Sequence, residues 1–187
     1  MPDDPKKRPK KVTEGYLERA ALHYLGRFSS TEANLIQVLE RKVRRRNEEN
    51  TAPTAEQMGW IANAAAKCVR LGYVDDAHYA KQRFASLLRK GKPLRTISQD
   101  LRYKGVADNL VTELIAEEQA DPEVDLDLSA AAAYARRRRF GPFRRADRMT
   151  EEKIEKEKAA MLRTGFSFQV VKRILGSSED ELLQLLP

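Results

Sequence analysis

The sequence predicts an all-α protein, an elongated, curved array of three tandem three-helix repeats. Three observations carry this expectation. Apolar residues recur at helical spacing almost everywhere, glycines punctuate the segments they define, and separate stretches of the chain resemble one another. Leu35, Leu39 and Val43 lie on one stripe, and Ala80, Phe84, Leu87 and Leu88 on another. Leu94, Ile97 and Leu101 form a third stripe, and Leu110, Val111, Leu114 and Ile115 a fourth, which Val170, Val171, Ile174 and Leu175 repeat. No run alternates apolar with polar residues, so no sheet is expected.

Taken in order, the chain begins with "MPDDPKKRPKK", charged and proline-rich. Residues 1–12 read as a disordered basic arm without the apolar stretch of a signal peptide. Helices follow near 13–25, 31–46 and 55–71, and Ser29 with Glu32 fits a capping box at the start of the second. A second set falls near 75–90, 93–104 and 107–119, and Pro93 suits the opening turn of its middle helix. The third set lies near 127–140, 150–164 and 167–175, with Ser167 capping its last helix. A short tenth helix covers "SEDELLQLL". Gly26, Gly72, Gly91, Gly105 and Gly165 each follow an apolar-periodic segment, where a left-handed residue ends a helix. "LRYKGVADNLVTELI" (101–115) aligns with "MLRTGFSFQVVKRIL" (161–175), and "STEANLIQVLERK" (30–42) with "KPLRTISQDLRYK" (92–104). The expected units are therefore 13–73, 74–120 and 121–187, the last opening on the acidic linker "QADPEVDLDLS" (119–129).

Composition narrows the function classes. Charged residues make up 34% of the chain and the formal net charge is +7, which favours anionic partners without choosing among nucleic acid, acidic protein and membrane. No apolar run is long enough to span a bilayer. The one cysteine, Cys68, excludes an internal disulfide and fits a reducing cytoplasm, and it reads as a small core residue. "RKGKPLRT" lacks the spacing of a phosphate loop, no Cys or His cluster has zinc spacing, and no nucleophile stands beside a base. No cofactor, metal or catalytic residue is expected.

The pair Asp75-Asp76 raises the question of a metal. Gly72 ends one helix, Asp75 caps the next, and Asp76 falls in its first turn, where a carboxylate complements the helix dipole. Helix punctuation accounts for both without a ligand.

Binding candidates are basic. "YARRRRFGPFRR" (134–145) places Arg136, Arg137, Arg138 and Arg139 around a helix end, with Arg144 and Arg145 beyond Phe140 and Phe143. Guanidinium forks suit carboxylates and phosphates alike, yet cations near a helix C-terminus are also favoured by the dipole alone. Arg41, Lys42, Arg44, Arg45 and Arg46 form a second cluster, which faces either a partner or water. Arg89, Lys90 and Lys92 stand at another helix end, where the dipole again supplies a simpler account. Lys172 and Arg173 lie on the last helix of the third set.

At "LGYVDDAHYAKQRFASLLRKGKPLRTISQDLRYKGV" (71–106) the chain resembles the RecX family of bacterial recombination regulators, and "LRTGFSFQVVKRIL" (162–175) is similar to that family's last repeat. The resemblance spans about residues 13–176. It implies an all-helical protein without catalytic activity that binds the RecA recombinase, lies in the groove of its filament on DNA and restrains ATPase, strand exchange and filament growth; a cytoplasmic monomer is expected. DNA contact would be weak and not sequence-specific. Two rival readings are a helix-turn-helix DNA-binding protein and a protein adaptor that never meets nucleic acid. Asp108, Glu113, Glu117 and Glu118 would set the would-be recognition helix of the 93–119 pair against phosphates.

Overall fold

The computed structural model describes residues 11–144 and 150–187. The expected basic arm, apart from its last two positions, and Arg145 lie outside the described residues. Among the described residues ten α-helices follow one another: α1 (Glu14–Leu25), α2 (Glu32–Arg44), α3 (Ala55–Arg70), α4 (Asp76–Arg89), α5 (Leu94–Tyr103), α6 (Asp108–Glu118), α7 (Leu126–Arg138), α8 (Glu151–Thr164), α9 (Phe168–Gly176) and α10 (Glu179–Gln184). Single 3₁₀ turns occupy Glu48–Asn50 and Gly141–Phe143, and no strand occurs among the described residues. Each expected helix is present, with ends displaced by a few residues at most. The chain divides into two compact units, one ending at Tyr79 and the other beginning at Ala80.

In the first unit α1, α2 and α3 pack on one another. Their stripes bring Leu17, Leu35, Leu39, Val43 and Ile61 into a core from which water is excluded, with Cys68 buried beside them. Local chemistry starts each helix. The Thr13 hydroxyl accepts from the Tyr16 N–H at 3.3 Å, Thr31 from Asn34 at 3.1 Å, and Thr54 forms a reciprocal capping box with Gln57. The expected box of Ser29 and Glu32 is not formed. Thr31 is the cap, and the Glu32 N–H donates instead to Asp76 Oδ1 at 2.9 Å. Asp76 thus serves a helix 44 residues away in sequence, while Asp75 caps its own helix by accepting from the His78 N–H at 2.8 Å. Gly26 does not take the left-handed form expected of it (φ −64°), whereas Gly72, Gly91, Gly105 and Gly165 do.

In the second unit α7 is the central element. Every residue of it from Leu128 to Ala135 is buried, so it has no solvent face until the arginines begin. It packs against α5, α9 and the Gly141–Phe143 turn. Four consecutive alanines let neighbouring backbones come close to it. The self-similarity read from sequence reappears as equivalent burial: Leu101 and Met161, Val106 and Phe166, Val111 and Val171, and Leu114 and Ile174 are all core residues. Asp125 caps α7 through the Leu128 N–H at 2.9 Å, and Asp127 reaches the start of α5, accepting from the Leu94 N–H at 2.8 Å. Pro93 precedes α5 with no side-chain cap of its own, so Asp127 supplies the missing acceptor. A bidentate pair between Arg83 of α4 and Asp100 of α5 holds those two helices together.

The hydrogen bonds from Arg83 hold the Asp100 carboxyl below its ordinary value of 3.8, and the charges of Arg83, Lys104 and Lys92 act in the same sense. A depressed carboxylate contributes stability above its unfolded pKa and loses it as pH falls through the folded value. Asp100→Asn is therefore expected to lower stability by up to about 1 kcal/mol at neutral pH for this half-exposed pair. The gap from wild type should close as the pH drops below 3.8. Urea denaturation in steps through that range checks this; a gap unchanged in acid refutes it.

Candidate functional site

The structure sorts the candidate cations by whether the fold itself uses them. The Arg46 guanidinium stacks 3.7 Å from the Tyr16 ring centroid, inside the first unit. Arg144 is withdrawn from any surface: its side chain is 8% exposed and pairs with Glu157, with Nε 2.8 Å from Oε1. The other Glu157 oxygen accepts from the Gly141 N–H at 2.9 Å, so this one carboxylate fastens the turn that follows the arginine run. Lys92 is half-buried and lies near enough to Asp100 to favour its charged form. Burial pushes the Tyr134 phenol up, but hydrogen bonding to Thr164 and Arg138, with the charges of Arg138 and Arg137, carries it below its ordinary value. Arg138 and Arg137 both stand near Tyr134, 5.9 and 5.8 Å from its ring centroid, and Arg138 alone of the two hydrogen-bonds to it.

The remaining candidates face solvent. Arg41, Arg44 and Arg45 are exposed at the end of α2, with Lys42 half-buried between them. Arg89 and Lys90 are exposed at the end of α4, and Lys172 and Arg173 on α9. Arg136, Arg137, Arg138 and Arg139 are all exposed, but they are not four residues of one helix: α7 ends at Arg138 and Arg139 is its left-handed cap (φ 58°). The break turns Arg139 out of the helical sequence of directions. Phe140 leans edge-on to Tyr134, with ring centroids 6.0 Å apart, as an internal packing residue.

Two of the sequence-separated clusters meet. Arg89 from α4 and Arg136, Arg137 and Arg139 from α7 line one open cavity of about 570 Å³. Ala133, Leu186 and Pro187 form its apolar wall. The Ser129 hydroxyl donates to the Leu185 carbonyl at 2.6 Å, which ties the segment after α10 to α7. The approach of α4 to α7 depends on Gly91. It has φ +65°, and a β-carbon there would stand 2.5 Å from the Tyr134 nitrogen. Backbone against backbone at this point carries Arg89 to the end of α7. The sequence marked Gly91 as a helix stop and Arg89 as a helix-end cation, but nothing in their spacing said which helix they would meet. Glu157 was likewise missed as the partner of Arg144. The carboxylates of Asp76 and Asp127 carried a legible signal, since "VDDAHYA" and "VDLDLSA" repeat a Val-Asp start with a second aspartate close behind.

Asp75 and Asp76 are occupied as caps, and among the described residues no group of three or more His, Cys, Asp or Glu is placed to hold a metal ion. No described helix is long and apolar enough to cross a membrane. This is an all-α protein of three-helix units, and several of its arginines and lysines are exposed. A family model described as the RecX second three-helix domain matches residues 75–115. The chain is 40% identical to the regulatory protein RecX of Myxococcus xanthus, over 92% of this chain and 90% of that one. It is 31% identical to the regulatory protein RecX of Agrobacterium fabrum, over 91% and 88%. The chain belongs to the RecX family. Its fold is also that of the crystal structure of RecX from Lactobacillus salivarius, with a TM-score of 0.57 at 19% identity, covering 92% of this chain and 96% of that one.

Gly91→Ala tests the joint beneath the cavity. A β-carbon in the left-handed region costs about 1–3 kcal/mol, and the clash with Tyr134 adds to it. Denaturation should show a loss of at least about 1 kcal/mol. An unchanged midpoint would mean that α4 and α7 do not rely on this contact.

Proposed function

We propose that the protein is a regulator of recombination that works by binding and not by catalysis. It attaches to the RecA recombinase and to the recombinase filament on DNA, and it restrains ATP hydrolysis, strand exchange and filament growth. The observation that carries this reading is the 40% identity, over 92% of the chain, to a protein named regulatory protein RecX. The disposition of charge supports it. Exposed arginines at the ends of α2, α4 and α7 suit acidic protein surfaces and DNA phosphates. The three repeats, 13–73, 74–120 and 121–187, offer successive faces, and a series of such units bridges neighbouring recombinase protomers.

Restraint follows from bridging if the protein binds one filament state better than the other. A ligand shifts a conformational equilibrium only by its difference in affinity for the two states. Direct DNA contact would be electrostatic and indifferent to sequence, and it would weaken steeply with salt. A helix-turn-helix reading of α5 and α6 is disfavoured, because Asp108, Glu113, Glu117 and Glu118 are all exposed on α6 and would repel a duplex.

Titration of the protein into RecA assembled on single-stranded DNA should lower ATP hydrolysis and shorten filaments. No change in either at saturating concentration removes the proposed role. Replacing Arg136, Arg137, Arg138 and Arg139 together with Ala should leave helicity intact, since all four are exposed, and weaken filament binding. Unchanged binding would return the run to a solvated helix end.

A further inference from the structure

We propose that the cavity formed by Arg89, Arg136, Arg137 and Arg139 is a specific site for adjacent phosphoryl groups, the chemistry of a di- or triphosphate or of consecutive backbone phosphates.

Arginines from α4, from α7 and from the cap of α7 line the cavity, and no side chain that lines it is acidic, although the terminal carboxylate of Pro187 stands at its wall. Among the described residues, none of the four forms a salt bridge with a carboxylate. Arg83 and Arg144, by contrast, each have one. Like charges held together repel, and a multivalent anion relieves that repulsion. The C-terminal end of α7 opposes an anion with roughly half a unit of negative charge, which four guanidinium groups outweigh. Ligand sites of about 300–1,000 Å³ are the usual size for small molecules, and this one is about 570 Å³.

Charge density selects phosphate over carboxylate. A peptide brings one carboxylate per acidic residue, on a separate side chain. Adjacent phosphoryl groups bring several charges and a dense array of acceptor oxygens into one small volume. Four guanidinium groups offer about twenty N–H donors to such an array. The apolar wall of Ala133, Leu186 and Pro187 limits the open face and lowers the local dielectric, which strengthens each contact. A neighbouring cleft of about 540 Å³ shares Arg89, Leu186 and Pro187, and Glu118, Glu123 and Asp125, which also line it, confine an anion to the arginine side. It leaves room for an organic group attached to the phosphates.

Arg138 sets the discriminating control. It belongs to the same run and is equally exposed, but it engages Tyr134 and does not line the cavity. A diffuse basic patch would treat Arg136 and Arg138 alike. A built site would not.

The experiment is calorimetric titration of the full chain alone, without recombinase, so its outcome is independent of the regulatory reading. The probes are tripolyphosphate, ATP, a short thymidine oligonucleotide and hexaglutamate. Arg89→Ala and Arg136→Ala should each weaken phosphate binding roughly tenfold, the loss of one charge-assisted contact, and Arg138→Ala should weaken it much less. Thermal midpoints should not fall below that of wild type, because the three side chains are exposed and removing Arg89 or Arg136 relieves repulsion. Arg89-dependent binding of tripolyphosphate or ATP identifies a free oligophosphate as the source. Arg89-dependent binding of the oligonucleotide alone identifies the strand backbone. Equal losses in Arg138→Ala and Arg136→Ala, hexaglutamate binding as tightly as tripolyphosphate, or no binding of any phosphate probe would each overturn the site.

Discussion

At Gly91 and Tyr134 two backbones meet more closely than any β-carbon allows. The second unit depends on that contact. It exists because glycine supplies both the left-handed turn after α4 and the empty space beside α7. The alanine run of α7 keeps that helix thin, and its burial on all sides makes it the element on which α5 and α9 converge. A larger residue at Gly91 would separate α4 from α7 and, with them, Arg89 from Arg136, Arg137 and Arg139. One missing methyl group therefore links the packing of the unit to the composition of its cavity.

Carboxylates complete what packing begins. The first N–H groups of a helix need acceptors, and α2 and α5 obtain one from the opening turn of a later helix. Asp76 of α4 serves Glu32, and Asp127 of α7 serves Leu94. Each bond ties the middle helix of one set to the first helix of the next, so the same chemistry that starts a helix also fixes its neighbour. The two aspartates are not at identical positions in their helices: Asp76 is the first residue of α4, and Asp127 the second of α7. The arrangement is thus equivalent in role and not in register. It also gives both adjacent acidic residues at 75–76 a structural role as helix caps.

Much of this fold was legible in the sequence because helical periodicity and capping are local. The stripe Leu35, Leu39 and Val43 needs only its own spacing to be recognised, and all three prove fully buried. Ser167, Asp75 and Gly165 act on neighbours within a few residues, and the structure confirms each. The Ser29 box failed because Ser, Ser and Thr stand in succession at 29–31, and selection among them depends on tertiary burial of Thr31. The arginine run was misread as continuous helix because no local residue signals that Arg139, an unusual occupant of the left-handed region, ends it. The cavity was beyond reach for a different reason. Arg89 and Arg136 are distant in sequence, and only a contact between Gly91 and Tyr134 makes them neighbours.

The basic excess of the chain is not one uniform property. Arg46 lies on an aromatic face, and Arg83 and Arg144 are paired. These arginines hold the fold, and their charges are largely committed to it. Arg137 and Arg138 both stand near the Tyr134 ring, at 5.8 and 5.9 Å, whereas Arg89, Arg136 and Arg139 form no salt bridge among the described residues, and the mutual repulsion of such cations lowers stability. The fold sustains that arrangement because Glu157 fixes the turn beyond the run and Gly91 fixes the approach from the other side. Backbones held in place before a ligand arrives lose little freedom when it binds, while the exposed side chains they carry must still be ordered. Salt screens long-range attraction between such a surface and an anion, but it acts less on groups partly enclosed by an apolar wall. A cavity and an open face made from the same residue type will therefore respond differently to ionic strength, and the division between them lies within a single run of four arginines.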